Sequence, residues 1–149
     1  MWKLSPPQRL EHWRRLRDQI SETNLEQALD ICVQNWARAP EAAWYLDPED
    51  VNSWPDPWTL IYDNYYCSLA KALGMLYTLH LSSHGAALDL SIRVYADPKN
   101  RIRHNLVWIN QGKYVLNSAD PWVLNNTHVP DSHKLLFDIS SNELKLDRY

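Results

Sequence analysis

The chain has only three glycines and two cysteines among its 149 residues, and each shortage excludes a class of protein. Phosphate-binding loops need glycines at fixed spacing, and neither a GxGxxG nor a Walker motif occurs, which argues against nucleotide binding through such loops. The nucleophile-elbow motif GxSxG is also missing. Cys32 and Cys67 have no CxxC spacing, and no apolar signal segment stands before them. We therefore expect reduced thiols in a cytoplasmic protein, or in a virion if the chain is viral.

Long apolar runs and an excess of positive charge are also lacking. No run approaches the roughly 18 apolar residues that cross a bilayer, and the net charge is −3, so neither a membrane nor a nucleic acid is an expected partner. The clearest bias is aromatic, with eight Trp and eight Tyr against one Phe. Such amphipathic rings are favoured at protein surfaces that meet a partner, and we expect a protein or peptide partner.

Hydrophobic periodicity divides the chain into three regions. Apolar residues at helical spacing predict a pair of helices within residues 1–37. Residues 38–57 contain four prolines and are expected to form a long Pro/Trp-rich connection. Residues 58–149 begin with helices and continue with alternating strands, including hairpin turns at residues 110–113 and 140–142. Helices followed by antiparallel strands indicate one α+β domain with a sheet of four to six strands.

One arrangement of residues points to covalent chemistry. Cys67 lies near the start of a predicted apolar helix over residues 65–81, where unpaired N–H groups favour a thiolate and stabilise an oxyanion. His104 opens a predicted strand and Asn117 closes the next, so a hairpin brings both to the same end of adjacent strands. We predict Cys67 as nucleophile, His104 as base and Asn117 as the residue that orients the imidazole. The alternative is an inert core thiol with a solvent-exposed histidine.

Three runs of sequence carry a resemblance to a known family. They are Tyr66-Cys67-Ser68-Leu69-Ala70, His104-Asn105-Leu106-Val107-Trp108 and Gly112-Lys113-Tyr114-Val115-Leu116-Asn117. Within about residues 55–120, this pattern resembles the transglutaminase-like branch of the papain-like cysteine fold. The resemblance implies a Cys-bearing central helix packed on an antiparallel sheet. It also implies a cysteine-dependent amide or peptide hydrolase, or an acyltransferase.

The chain departs from the family pattern at three places. Tyr65 and Tyr66 precede Cys67, where the family often has a small residue or an acid. Asn117 replaces the more usual Asp, and Asp120 three residues later is a substitute. No Gln stands in the position of the papain-like oxyanion donor. The remaining oxyanion candidates are Trp58, Asn64 and backbone amides.

Two other functions fit the same sequence. The first is a non-catalytic interaction or assembly protein of a larger complex, for example a tailed-phage virion component. This hypothesis rests on the many Trp and Tyr residues, the few glycines and the Pro-rich connection. The second is a small metal or ligand module using His80, His84 and Asp89, because i,i+4 histidines share a helix face. Since that helix ends near His84, we assign no metal site and no cofactor.

Overall fold

A computed structural model describes residues 1–43, 45–117 and 119–146, in which four α-helices precede a five-stranded antiparallel sheet. The α+β class predicted from the sequence is confirmed. The helices are α1 (Pro6–Ser21), α2 (Leu25–Ala37), α3 (Pro57–Asp63) and α4 (Ser68–His80). The strands are β1 (Leu90–Asp97), β2 (Ile102–Ile109), β3 (Tyr114–Leu116), β4 (Val123–Leu124) and β5 (Lys134–Ser140).

Two of the helices begin where a side chain accepts a hydrogen bond from one of their first N–H groups. The Asn24 side chain accepts a hydrogen bond from the Gln27 N–H at the start of α2, and Asp56 accepts one from Thr59 at the start of α3. Cys67 is the residue that precedes the first turn of α4. None of the helices in the described residues combines the length and apolar character needed to cross a membrane.

The sheet has the strand order β4-β3-β2-β1-β5 and two different faces. Successive residues of a strand point to opposite faces. The face that packs on α4, which we term the helix face, includes Ile92, Val94, Val107, Ile109 and Leu116. The opposite face, which we term the far face, has a smaller cluster made of Tyr95, Leu106, Trp108 and Val115. Two neighbouring residues of β2 therefore contact different surroundings.

The N-terminal helices share the core of the helix face. Cys32 of α2 is fully buried in this core, and its Sγ lies 3.7 Å from the Met75 carbonyl oxygen of α4. Gly74 allows the Trp36 ring to approach α4, because a Cβ at this position would lie 2.2 Å from a ring carbon. One of the three glycines is thus required by close packing between two helices.

The predicted hairpin at residues 140–142 is wrong. Residues 143–146 do not form a return strand; Ser141–Leu144 is a 3₁₀ turn, and β5 instead pairs with β1. The reason is a capping box: the Glu143 carboxylate accepts a hydrogen bond from the Ser140 N–H, while the Ser140 hydroxyl accepts one from Asn142.

Candidate functional site

Cys67 lies at the point where the chain enters α4. Its side chain is 5% exposed, and its Sγ accepts a hydrogen bond from the Leu46 N–H at 3.4 Å. The preceding Tyr66 carbonyl accepts a hydrogen bond from Ala42, which ties the segment before the helix to the Pro/Trp-rich connection. The sulfur thus lies beside a backbone donor and the positive end of a 13-residue helix.

A cavity of about 400 Å³, which we term the cysteine cleft, opens beside this thiol. From the sheet, Val94, Arg103 and Asn105 line it. Asn105 pairs with Val94 across β1 and β2, so both point to the helix face. The remaining lining residues are Tyr45, Leu46, Pro48, Cys67, Ser68 and Leu69. None of the six histidines, all of which the structure describes, is among the lining residues.

His104 lies on the far face of the sheet, opposite to Cys67. It pairs with Tyr95 across the β1–β2 ladder, and Tyr95 belongs to the far-face cluster. His104, Asn117 and Asp120 instead line one cavity of about 320 Å³, which we term the far-face cavity. The structure thus brings the predicted base and both orienting candidates together but separates them from the thiol. The physical reason is that successive residues of a strand point to opposite faces of the sheet. Asn105 points to the cleft, so its neighbour His104 points to the far face.

The imidazole of His104 is oriented by a residue other than the predicted ones. Its Nε2 lies 3.0 Å from Oδ2 of Asp97, at the end of β1. The Asn117 side-chain oxygen instead accepts a hydrogen bond from the Ala119 N–H. Asp97 was not found by sequence reasoning, because only the strand register shows that residues 97 and 104 share a face.

The predicted oxyanion candidates are both engaged outside the cysteine cleft. The Trp58 ring of α3 packs edge-on against Trp13, with ring centroids 6.4 Å apart. Asn64 ends α3, and its side-chain amide donates to the Trp2 carbonyl at 3.1 Å. Ser68 and Leu69 of the first turn of α4 line the cleft, and the first N–H groups of a helix have no acceptor within the helix.

The histidines of the third hypothesis do not share a site with Asp89. His84 Nε2 lies about 3 Å from the carbonyl oxygens of Ile20 and Thr23. Burial lowers the pKa of His80, whose ring contacts the backbone near the end of the described chain. Asp89 lines a cavity whose lining includes neither His80 nor His84.

A different group, Asp97, His104 and His133, brings two imidazoles to one carboxylate; we term it the Asp97 cluster. Asp97 is 3% exposed, and the two imidazole rings stack with centroids 5.0 Å apart and planes inclined by 10°. Hydrogen bonds hold the pKa of the Asp97 carboxyl well below its usual range; the bond from His104 is the largest cause, and that from Asn100 is next. The carboxylate is therefore ionised throughout the neutral range.

A cysteine at the start of α4, which packs on an antiparallel sheet, is the arrangement that the resemblance in the sequence implies. Solved structures with a similar fold include those of LapG from Legionella pneumophila. The calcium-bound form has a TM-score of 0.72 and 16% identity, and the match covers 93% of this chain and 77% of LapG. A second LapG structure has a TM-score of 0.69 and 17% identity, and the match covers 90% of this chain and 75% of LapG. No protein-family model and no curated protein matches the sequence, so the likeness shows the fold alone.

Proposed function

We propose that this chain binds an extended peptide segment in the cysteine cleft without hydrolysing it. The observation that carries the proposal is Asn105, which lies on the helix face where a base for the thiol would stand. Thiol-dependent amide hydrolysis needs a group that takes the thiol proton and returns it to the leaving amine. Neither the Asn105 amide nor the Arg103 guanidinium does this, because both lack a basic site at neutral pH.

The lining of the cleft favours a peptide as the bound molecule. Leu46, Leu69 and Val94 offer apolar walls, and Tyr45 is 75% exposed at the same cavity. The Asn105 side chain carries both a donor and an acceptor, which matches the pairing needs of a peptide backbone. Arg103 adds a planar cation suited to a carboxylate. We therefore expect a peptide with an acidic side chain or a free carboxyl end.

A peptide-binding and cleavage assay tests this proposal in one experiment. An acidic fluorogenic peptide pool is incubated with the wild-type chain, and both retention and cleavage are measured. We expect retention without cleavage, and at least about a tenfold loss of retention in Arg103→Glu, because this change reverses the charge of the cleft. The matched control is Arg101→Glu, which changes an exposed residue in the preceding turn. Equal retention by Arg103→Glu, or no retention by the wild type, would refute the proposal.

A cysteine-dependent hydrolase or acyltransferase is the second candidate. The Leu46 N–H at the sulfur and the start of α4 favour it, because both place partial positive charge beside Cys67. In the same assay, cleavage that Cys67→Ser abolishes would establish this candidate and contradict the first one. His104, Asn117 and Asp120 would take no part in that reaction, because they line the far-face cavity on the other side of the sheet from Cys67.

A further inference from the structure

Three side chains from neighbouring parts of the sheet converge at one point of the far face. Asp97 is the last residue of β1, and His104 lies on β2. His133 precedes β5, one position beyond the last β1–β5 pair, Ala96 with Lys134, so the register places it next to Asp97. One ligand atom from each of Asp97, His104 and His133 lies within 4.8 Å of the other two.

We propose that the Asp97 cluster binds a divalent transition-metal ion of the zinc type. Two imidazole nitrogens and one carboxylate oxygen are a common ligand set for zinc. In a tetrahedral site with bonds of about 2.0–2.1 Å, neighbouring ligand atoms are about 3.3 Å apart. In the Asp97 cluster, Oδ2 of Asp97 lies 3.0 Å from Nε2 of His104 and 3.4 Å from Nε2 of His133. The two distances from the carboxylate oxygen thus match edges of such a tetrahedron, and the two imidazole nitrogens lie within 4.8 Å of each other.

The surroundings hold the donor atoms in this arrangement. Asn100 donates to both carboxylate oxygens of Asp97, from its backbone N–H at 3.2 Å and from its side-chain amide at 2.8 Å. The His133 N–H donates to the Pro130 carbonyl, which fixes the turn before β5. Outer hydrogen bonds of this kind orient metal ligands and support affinity. The side chains of His104 and His133 are 24% and 14% exposed, so an ion has access from the far-face cavity.

The donor atoms also define which ion fits. Calcium takes six to eight oxygen ligands, whereas the cluster offers two nitrogens and one carboxylate. Zinc and its first-row neighbours accept this set. With three protein ligands, one coordination position stays open toward the far-face cavity. The proposed site is separate from the cysteine cleft, because the sheet lies between them.

Metal titration of the tag-free, chelator-treated full chain tests the proposal. We expect one zinc ion per chain with a dissociation constant at or below about 10 µM. Cobalt(II) in the same site should give visible absorption typical of low coordination number, without a thiolate charge-transfer band. His104→Gln and His133→Gln should each weaken zinc binding by more than about 100-fold. The matched control, His128→Gln, changes another histidine of the same cavity and should bind zinc like the wild type.

Several results would overturn the site. They are the absence of zinc and cobalt binding by the wild type, unchanged affinity in both His104→Gln and His133→Gln, or loss of the signal in Cys67→Ser. Circular dichroism checks the fold of each variant. If a variant does not fold, imidazole nitrogen NMR of the wild type decides: zinc should shift the ring signals of His104 and His133 and leave those of His84 in place. Shifts at other histidines alone would refute the proposal.

Discussion

At the scale of single residues, the hydroxyl of Thr78 joins three elements of the core at one oxygen atom. The indole N–H groups of Trp13 and Trp36 each donate to it at 3.0 Å, and it donates to the Gly74 carbonyl at 2.7 Å. Thr78 and both tryptophans are fully buried. One hydroxyl thus satisfies two donors that have no access to water, and it does so with its full capacity of one proton and two lone pairs.

Replacing this hydroxyl should destabilise the fold far more than its size implies. Thr78→Val keeps the shape but leaves two buried N–H donors without an acceptor, and each costs about 1–3 kcal/mol. We expect the free energy of unfolding to fall by about 2–4 kcal/mol in urea titrations. Thr78→Ser is the control, because it keeps the hydroxyl and should lose only about 1 kcal/mol. Equal losses in the two variants would show that packing, not hydrogen bonding, sets the cost.

At the scale of secondary structure, periodicity predicts where helices and strands lie, but it predicts poorly which strand residues point to which face of the sheet. Apolar spacing predicts α1, α2 and the helix after Cys67, and turn residues predict the β2–β3 hairpin. It also predicts that His104 and Asn117 lie at the same end of that hairpin, and both residues line the far-face cavity. The sequence does not show which of His104 and Asn105 faces Cys67, because the packing of α4 selects the face. His133 was missed because its neighbours in space come from β1 and β2.

The Asp97 cluster, where β1, β2 and the start of β5 adjoin, should make the free energy of unfolding depend on pH through Asp97. Its folded-state pKa is depressed, mainly by the hydrogen bond from His104. A depressed carboxyl pKa contributes stability above the unfolded value of about 3.9, and this contribution is lost as the pH falls toward the folded-state pKa. We therefore expect the urea midpoint of the wild type to fall below about pH 4 more steeply than that of Asp97→Asn.

The control for this effect is Asp131→Asn, a change at an exposed carboxylate in the turn that leads to His133. It should reproduce the acid dependence of the wild type. Identical slopes in the wild type and Asp97→Asn between pH 6 and pH 3 would contradict the assignment.

At the scale of the whole molecule, one continuous cluster of buried residues extends from α1 to β5. It includes Trp13 of α1, Cys32 of α2 and Ile139 of β5. The far-face cluster around Trp108 is smaller. The two proposed sites use these faces separately: the cysteine cleft opens at the margin of the large core, and the Asp97 cluster lies at the far face. A ligand of one site should therefore leave the donor atoms of the other unchanged.

The two thiols should become accessible to an alkylating reagent through different opening motions of the structure. Cys67 is 5% exposed beside a cavity, whereas Cys32 is fully buried, and burial strongly raises the pKa of its thiol. Alkylation requires a thiolate in contact with solvent, so Cys32 should react only after the core between α2 and α4 opens. In iodoacetamide labelling followed by mass spectrometry, we expect Cys67 to react first. Labelling of Cys32 should accelerate with urea as steeply as global unfolding.

The variant Thr78→Val sharpens this experiment because it weakens the same core without touching either sulfur. It should raise the rate of Cys32 labelling by the factor that corresponds to its loss of unfolding free energy, about 10-fold for each 1.4 kcal/mol, when closing is faster than alkylation. The rate at Cys67 should change far less, since the cleft already leads to its sulfur. If the rate of Cys32 labelling changes neither with urea nor in Thr78→Val, α2 detaches locally from α4. The large core would then not open as one unit.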